Sequence, residues 1–186
     1  VEPDRDAADA LGALVRHALE ALLEVLLGVV AERVLAEELA VGVHEVVRAT
    51  DDDSSITLSG TSVKTTNINA AGLHAMAGGA IAATDATVAT QGANAFGVSA
   101  RDADSSITLT NTNVATSGDA AFGVRAGDAG TVQIAGGSVE TAGAAAHGVA
   151  AVNGGDLTMS GAAVAANGAG SSAIYLAGSA ANTVSI

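Results

Sequence analysis

A repeat of about 25 residues constrains this sequence more than any other feature. One column of the repeat consists of valines, and the steps between them are 25, 26, 25 and 25 residues. A second apolar column keeps the same steps. A fixed period between roughly 20 and 50 residues is the signature of a solenoid. The two columns are Val63, Val88, Val114, Val139 and Val164, and Leu73, Val98, Val124, Val149 and Ile174.

Each repeat contains three short apolar segments. The first has two apolar residues separated by one, such as Ile56 and Leu58 or Ile107 and Leu109. This spacing is typical of a strand with one buried face. The valine column begins a second strand, and the Leu73 column lies in a third. Three strands per repeat predict an all-β solenoid, a parallel β-helix of about five coils over residues 51–186, with a sixth coil that is incomplete.

Turn residues separate the three segments. Glycine, asparagine and aspartate tolerate a left-handed backbone, so the first two turn columns are both predicted to adopt one. The third turn alone varies in length. Binding specificity could therefore lie there, at Arg101, Asp102, Asp104 and Asp128, although solvated turn residues are the favoured interpretation. The two columns are Gly60, Asp85, Asn111, Gly136 and Gly161, and Asn67, Gly92, Gly118, Gly143 and Gly168.

An aromatic column comes just before the third strand. Phe96 and Phe122 occupy equivalent positions, and His147 follows them in the next repeat. We expect the two rings to stack as an interior pair. The histidine then continues the column as a core residue with no catalytic role.

Residues 1–50 differ in kind from the rest. They contain seven of the eight glutamates and nine of the fourteen leucines, but no serine or asparagine. Apolar residues at helical spacing, with Glu20 and Glu24 on the opposite face, predict an amphipathic helix that Gly28 or Gly42 could interrupt. The two glutamates argue against a membrane span, and the acidic start argues against a signal peptide. Two interpretations stay open, namely a cap on the first coil and a non-native extension.

Composition argues against several classes of function. The net charge of -13 is unsuited to binding nucleic acid or an anionic membrane through a basic patch. The sequence has no cysteine, and the histidines show no metal-ligand spacing. We therefore predict no catalytic, metal or cofactor-binding residues and no cofactor. The four histidines are His17, His44, His74 and His147.

The recurring unit Ala-Phe-Gly-Val-x-Ala, at residues 95–100 and 121–126, resembles the passenger domain of pertactin-like autotransporters. Ala-His-Gly-Val-x-Ala at residues 146–151 is similar, and the resemblance covers residues 53–186. It implies a right-handed β-helix, exported by a Gram-negative bacterium and displayed at the cell surface or secreted as an adhesin or virulence factor. Host surface proteins or glycans would be the partners. The family's signal peptide and carboxy-terminal membrane barrel are missing, which predicts a fragment whose membrane contact would come only through that barrel.

Adhesion or structural display, without catalysis, is the favoured function. A β-helical polysaccharide-active enzyme is one alternative, but it would need clustered carboxylates beside basic residues, and the repeats offer only Lys64, Arg101 and Arg125. An ice-binding solenoid is the other, suggested by outward hydroxyl residues on the first strand. Ala82 and Ala135 interrupt that array. The hydroxyl residues are Thr57, Ser59, Thr108, Thr110, Thr158 and Ser160.

Overall fold

The computed structural model describes residues 32–34, 39–40 and 45–186. These residues form a right-handed parallel β-solenoid of about six coils, and they contain no helix. Each coil contributes one strand to each of three sheets. The predicted fold class, a parallel β-solenoid, is therefore confirmed.

The first sheet contains the first strand of every coil. Its strands pair in parallel, so that Ile107 lies between Ile81 and Val132 of the adjacent coils. Inward residues such as Leu109 and Val132 are fully buried, while their neighbours along the strand point outward. The strands are β1 (Glu32–Val34), β4 (Ser55–Ser59), β7 (Ala80–Thr84), β10 (Ser106–Thr110), β13 (Thr131–Ala135), β16 (Asp156–Ser160) and β19 (Thr183–Ser185).

The second sheet is built around the predicted valine column. Val114 pairs with Val88 on one side and Val139 on the other, and all three are buried. Valine is favoured here because its branched side chain packs well on a pleated surface. The strands are β2 (Leu39–Ala40), β5 (Ser62–Thr65), β8 (Thr87–Thr90), β11 (Asn113–Thr116), β14 (Ser138–Thr141) and β17 (Ala163–Ala166).

The third sheet follows the second apolar column in the same way. Val124 pairs with Val98 and Val149, and the three side chains are buried. Like residues thus stack on like residues in all three sheets. The strands are β3 (Glu45–Thr50), β6 (Ala71–Met76), β9 (Val98–Arg101), β12 (Val124–Gly127), β15 (Val149–Val152) and β18 (Ile174–Ala177).

Within residues 1–50, the segment predicted to be helical, the structure describes three short stretches. Glu32–Val34, Leu39–Ala40 and Glu45–Thr50 are strands that pair with β4, β5 and β6. Val47 and Ala49 are both buried, which is the two-residue period of a strand. The physical reason is that β4 to β6 offer backbone hydrogen bonds on this side. The rest of the predicted helix, with its role as cap or extension, lies outside the described residues.

The turns confirm one predicted column and correct the other. The first turn is left-handed throughout, with φ between 48° at Asn111 and 72° at Gly136. In the second turn, Gly92 and Gly118 are not left-handed. A Cβ at Gly118 would collide with the carbonyl of Gly92 in the preceding coil, so glycine is required for close approach. The left-handed residues lie two positions later, at Asn69, Asn94, Ala120, Ala145 and Gly170.

The length of the third turn varies, as predicted. Residues 77–79, 128–130 and 153–155 form three-residue turns, whereas residues 102–105 form a four-residue turn. The first turn has two residues in each of coils two to six. In coils two to six, changes of length are thus confined to one edge of the solenoid.

A ladder of buried threonines closes the second turn. The hydroxyls of Thr65, Thr90, Thr116 and Thr141 each donate to a carbonyl oxygen five residues later, at distances of 2.8, 2.7, 2.6 and 2.6 Å. These threonines are almost completely buried. A buried carbonyl without a partner is costly, so the ladder stabilises a bend that faces the core. The accepting residues are Ala70, Ala95, Ala121 and Ala146.

The first prediction concerns the core. Val132 is fully buried and Gln133, its neighbour in β13, is exposed. Val132→Asp should lower the free energy of unfolding by about 4 kcal/mol or more, because a carboxylate in an apolar stack has no partner. Gln133→Asp is the matched control and should change it by no more than about 0.5 kcal/mol. Denaturant unfolding followed by circular dichroism measures both, and equal losses would contradict the assignment of inward and outward residues.

The second prediction concerns the threonine ladder. Thr116→Val keeps the shape of the side chain but leaves the Ala121 carbonyl unsatisfied, so it should cost roughly 1–3 kcal/mol. Thr108→Val, on the exposed side of β10, removes a hydroxyl that faces water and should cost much less. Thermal unfolding compares the two variants. A Thr116→Val protein as stable as the Thr108→Val protein would show that the buried hydrogen bond contributes little.

Candidate functional site

All three aromatic side chains of the sequence lie on one outer surface of the solenoid. The sequence contains two phenylalanines, one tyrosine and no tryptophan. We use the name third-sheet face for the outer surface of the third sheet together with the bend residues before its strands. It comprises Arg48, His74, Phe96, Ser99, Arg101, Phe122, Arg125, His147 and Tyr175.

The rings on this face form a continuous aromatic stack of Phe96, Phe122, His147 and Tyr175. The ring centroids of Phe96 and Phe122 are 5.4 Å apart, and those of Phe122 and His147 are 4.9 Å apart. His147 and Tyr175 are parallel, with centroids 3.9 Å apart and an interplanar angle of 4°. The stack therefore runs along the solenoid axis over four successive coils. All four side chains are half-buried.

The stack exists as predicted, but its predicted interior position is wrong. The chain bends at Gly97 before β9 begins, and Ala95 occupies the buried position on the core side of that bend. A Cβ at Gly97 would lie 2.6 Å from the carbonyl oxygen of Gly123, so glycine permits the close approach of the coils at the bend. Phe96 is directed to the outside because the bend breaks the alternation of inward and outward residues before β9 begins.

Two arginines lie beside the stack on the same face, and we call Arg101 and Arg125 the arginine pair. The Arg125 guanidinium lies 5.8 Å from the centre of the Phe96 ring and pairs with Asp128 at 3.3 Å. A Cβ at Gly127 would lie 2.6 Å from Cζ of Arg125, so this guanidinium covers Gly127. Because Gly127 pairs with Arg101 in the sheet, the two arginines are close neighbours.

Asp128 belongs to the same group of side chains as the arginine pair. A hydrogen bond from Asn153 Nδ2, at 3.1 Å, is the main reason that the pKa of Asp128 is lowered, and the charges of Arg125 and Arg101 add to the effect. Asp128 is thus ionised at neutral pH. It neutralises one of the two arginine charges and leaves the pair with an excess of positive charge.

The other predicted residues of the third turn have a structural explanation. Asp102 and Asp104 have φ values of 71° and 65°, a backbone geometry that aspartate tolerates better than most residues. A side-chain oxygen of Asp102 also accepts a hydrogen bond from the backbone of Ala77 at 3.4 Å. Of the four predicted residues, the structure joins Arg101 and Asp128 to the third-sheet face. The sequence analysis named Arg125 as one of the few basic residues of the repeats but did not place it beside Arg101, a proximity that follows from the pairing of Gly127 with Arg101.

His147 is the titratable member of the aromatic stack. Its Nδ1 accepts a hydrogen bond from the backbone N–H of Ser172 at 3.0 Å, so in the neutral ring the proton is on Nε2. Burial lowers the pKa of His147. At neutral pH the ring is therefore uncharged and its Nε2–H is a hydrogen-bond donor.

The outer surface of the first sheet carries the hydroxyl residues considered for ice binding. Thr57, Thr108 and Thr158 belong to one column, but Ala82 and Gln133 lie between them in the pairing. Ala135 likewise interrupts the column of Thr110 and Ser160. The array is therefore not continuous along the axis.

No group of three or more His, Asp or Glu side chains in the described part of the chain could hold a metal ion. His74 is buried in β6, and His147 belongs to the aromatic stack. His17 and His44 lie outside the described residues. Among residues 32–34, 39–40 and 45–186, no helix has the length and apolar character needed to cross a membrane.

Comparison with protein-family models, curated proteins and solved structures found no match to the chain. The class of protein is therefore given by its fold alone, as a parallel β-solenoid with a 25-residue repeat.

The third prediction concerns the pH dependence that His147 introduces. Because its pKa is lower in the folded protein than in the unfolded chain, its stabilising contribution is complete above the unfolded pKa of about 6.5. That contribution is lost as the pH falls from this value through the lower pKa of the folded protein, since the unfolded chain binds a proton more readily in that range. His147→Phe continues the aromatic column without a titrating group. As the pH falls from about 8 to about 5, the variant should therefore become more stable relative to the native protein.

Thermal unfolding at several pH values measures this difference. Tyr175→Phe is the control, because it changes the same stack and leaves His147 in place. The difference in unfolding temperature between Tyr175→Phe and the native protein should be constant with pH. A constant difference for His147→Phe as well would contradict the assignment.

Proposed function

We propose that this chain is part of a pertactin-like autotransporter passenger, displayed at the surface of a Gram-negative bacterium or secreted from it. In this proposal it is a rigid rod that binds through one outer face and does not catalyse a reaction. The observation that carries the proposal is the third-sheet face. It holds all three aromatic residues of the sequence, and every arginine among residues 45–186.

The repeat itself supports a passenger-like role. Parallel pairing of every coil with the next makes a solenoid an extended, stiff scaffold, on which equivalent surface positions recur at each coil. The fold tolerates outward substitutions because they do not enter the core. Such a scaffold suits display and binding.

The arrangement of the described acidic residues favours binding over catalysis. Asp128 is engaged with Arg125 and Asn153, and Asp102 accepts a hydrogen bond from the backbone N–H of Ala77 in the third turn of the preceding coil. Hydrolysis of a glycosidic bond typically uses two carboxylates on either side of the substrate. Asp102 and Asp128, which lie in the third turn beside this face, instead have structural partners, which supports a role in recognition.

Recognition on such a face would depend on many modest contacts. An exposed ion pair contributes about 0–1 kcal/mol, so a few such contacts give weak binding. Many copies displayed on one cell would raise the apparent affinity because each further contact becomes intramolecular. Adhesion of whole cells is therefore the appropriate measurement.

The fourth prediction tests this function. Cells that display the chain through a surface anchor should adhere to host-cell monolayers more than cells that carry the anchor alone. Replacing residues 102–105 by Asp-Ala-Gly, the three-residue turn of residues 128–130, should reduce adhesion because it alters the edge beside Arg101. Asn111→Gly is the matched control, since the equivalent turn position in the next coil is Gly136.

Display levels and β-type circular dichroism should be the same for all variants. Adhesion no greater than that of the anchor alone would refute the proposed function. Full adhesion after the turn replacement would exclude this edge as the contact.

A further inference from the structure

We propose that the arginine pair and the aromatic stack together form a binding site for carboxylated polysaccharides, polymers of sugar rings that carry uronic acid groups. This inference rests on the proposed function and names the ligand class of the same face. Three properties of this face support it. They are the positive charge of the arginine pair, the unsatisfied hydrogen-bonding capacity of Arg101 and the surface of the aromatic rings.

The charge of the face is opposite to that of the whole chain. The net charge is -13, yet the four arginines and lysines among residues 45–186 include three on the third-sheet face. The fourth, Lys64, lies in the second sheet. Arg101 and Arg125 belong to adjacent strands, and strands in a sheet are about 4.8 Å apart. Asp128 pairs with Arg125 only, so the two guanidinium groups keep an excess positive charge that an anionic ligand would neutralise.

Arg101 lacks the hydrogen-bond partners that a half-buried guanidinium normally has. Its Nε is buried without a hydrogen-bond partner, and it forms no ion pair within 4 Å with any described residue. Leaving a buried donor unsatisfied costs free energy. A carboxylate is the natural acceptor, because the planar fork of arginine matches its two oxygens. Arg101 is only half-buried as a whole, so a carboxylate would bind at the outer end of its guanidinium and not at the buried Nε.

The aromatic stack extends this cluster along the solenoid axis. From Phe96, beside Arg125, it continues through Phe122 to His147 and Tyr175. Half-buried rings offer an apolar surface to the C–H groups of a sugar, and the Tyr175 hydroxyl and the His147 Nε2–H offer hydrogen bonds to its hydroxyls. A ligand that contacts both ends must be long, ring-built and anionic.

An acidic peptide fits this face less well. Extended peptides commonly bind by adding a strand to an open sheet edge. In the third sheet, β9, β12 and β15 are each paired on both sides, so their backbone groups are already used. At these three strands only side chains remain for recognition, and rings and guanidinium groups suit a carboxylated sugar polymer.

The experiment measures binding of the full chain to polygalacturonate by isothermal titration calorimetry. The chemical control is the same polymer with its carboxylates methyl-esterified. We expect binding to the acid form, loss of binding on esterification, and weakening at higher salt because the site is partly exposed. Arg101→Gln and Arg125→Gln should each weaken binding by about tenfold or more.

Matched variants test the location of the site. Lys64→Gln removes a positive charge from the second sheet and should leave binding unchanged. Tyr175→Ala should weaken binding without altering the charge of the face. The unfolding temperature of each variant is measured in parallel, so that a loss of binding is not confused with a loss of fold.

Three results would overturn the proposal. The first is that the native chain does not bind polygalacturonate. The second is that Lys64→Gln weakens polygalacturonate binding as much as Arg101→Gln does. The third is that polyglutamate binds the native chain as tightly as polygalacturonate does. None of them depends on cell adhesion, so the two proposals can fail separately. Cells that display Arg101→Gln and adhere normally would retain the proposed function while showing that this site does not mediate it.

Discussion

Every strand of the solenoid depends on hydrogen bonds to the equivalent strand one coil away. Parallel pairing places Val114 between Val88 and Val139, and Val124 between Val98 and Val149. No coil can satisfy its own strands or bury its own inner side chains. Stability is therefore shared between neighbours, and each inward position must have nearly the same size in successive coils. The 25-residue repeat in the sequence follows from that constraint.

The narrow core determines where the larger and polar groups are placed. Its interior is filled by valine, leucine, isoleucine and alanine, and the threonines that enter it satisfy the carbonyls of Ala70, Ala95, Ala121 and Ala146. Phenylalanine is instead found on the outside, where rings from successive coils stack on each other. The repeat that stacks valines inside the solenoid thus also stacks rings on its surface.

The three outer surfaces of the solenoid are chemically different. The first sheet presents hydroxyl residues in interrupted columns, whereas the third presents arginine and aromatic side chains. Residues on these surfaces do not determine the packing of the core. They are consequently free to serve recognition, and Asp128 fixes Arg125 there while it also contacts Asn153 of the next coil.

The sequence alone determined the repeat, the strand class, the inward columns and the variable third turn, because side-chain alternation and turn residues are local properties. Only the tertiary structure decided that Phe96 faces outward, since this depends on a bend at Gly97 between closely packed coils. It also decided that Glu45–Thr50 is a strand, because β6 supplies its hydrogen bonds. The proximity of Arg101 and Arg125, 24 residues apart in the chain, likewise follows from the stacking of one coil on another.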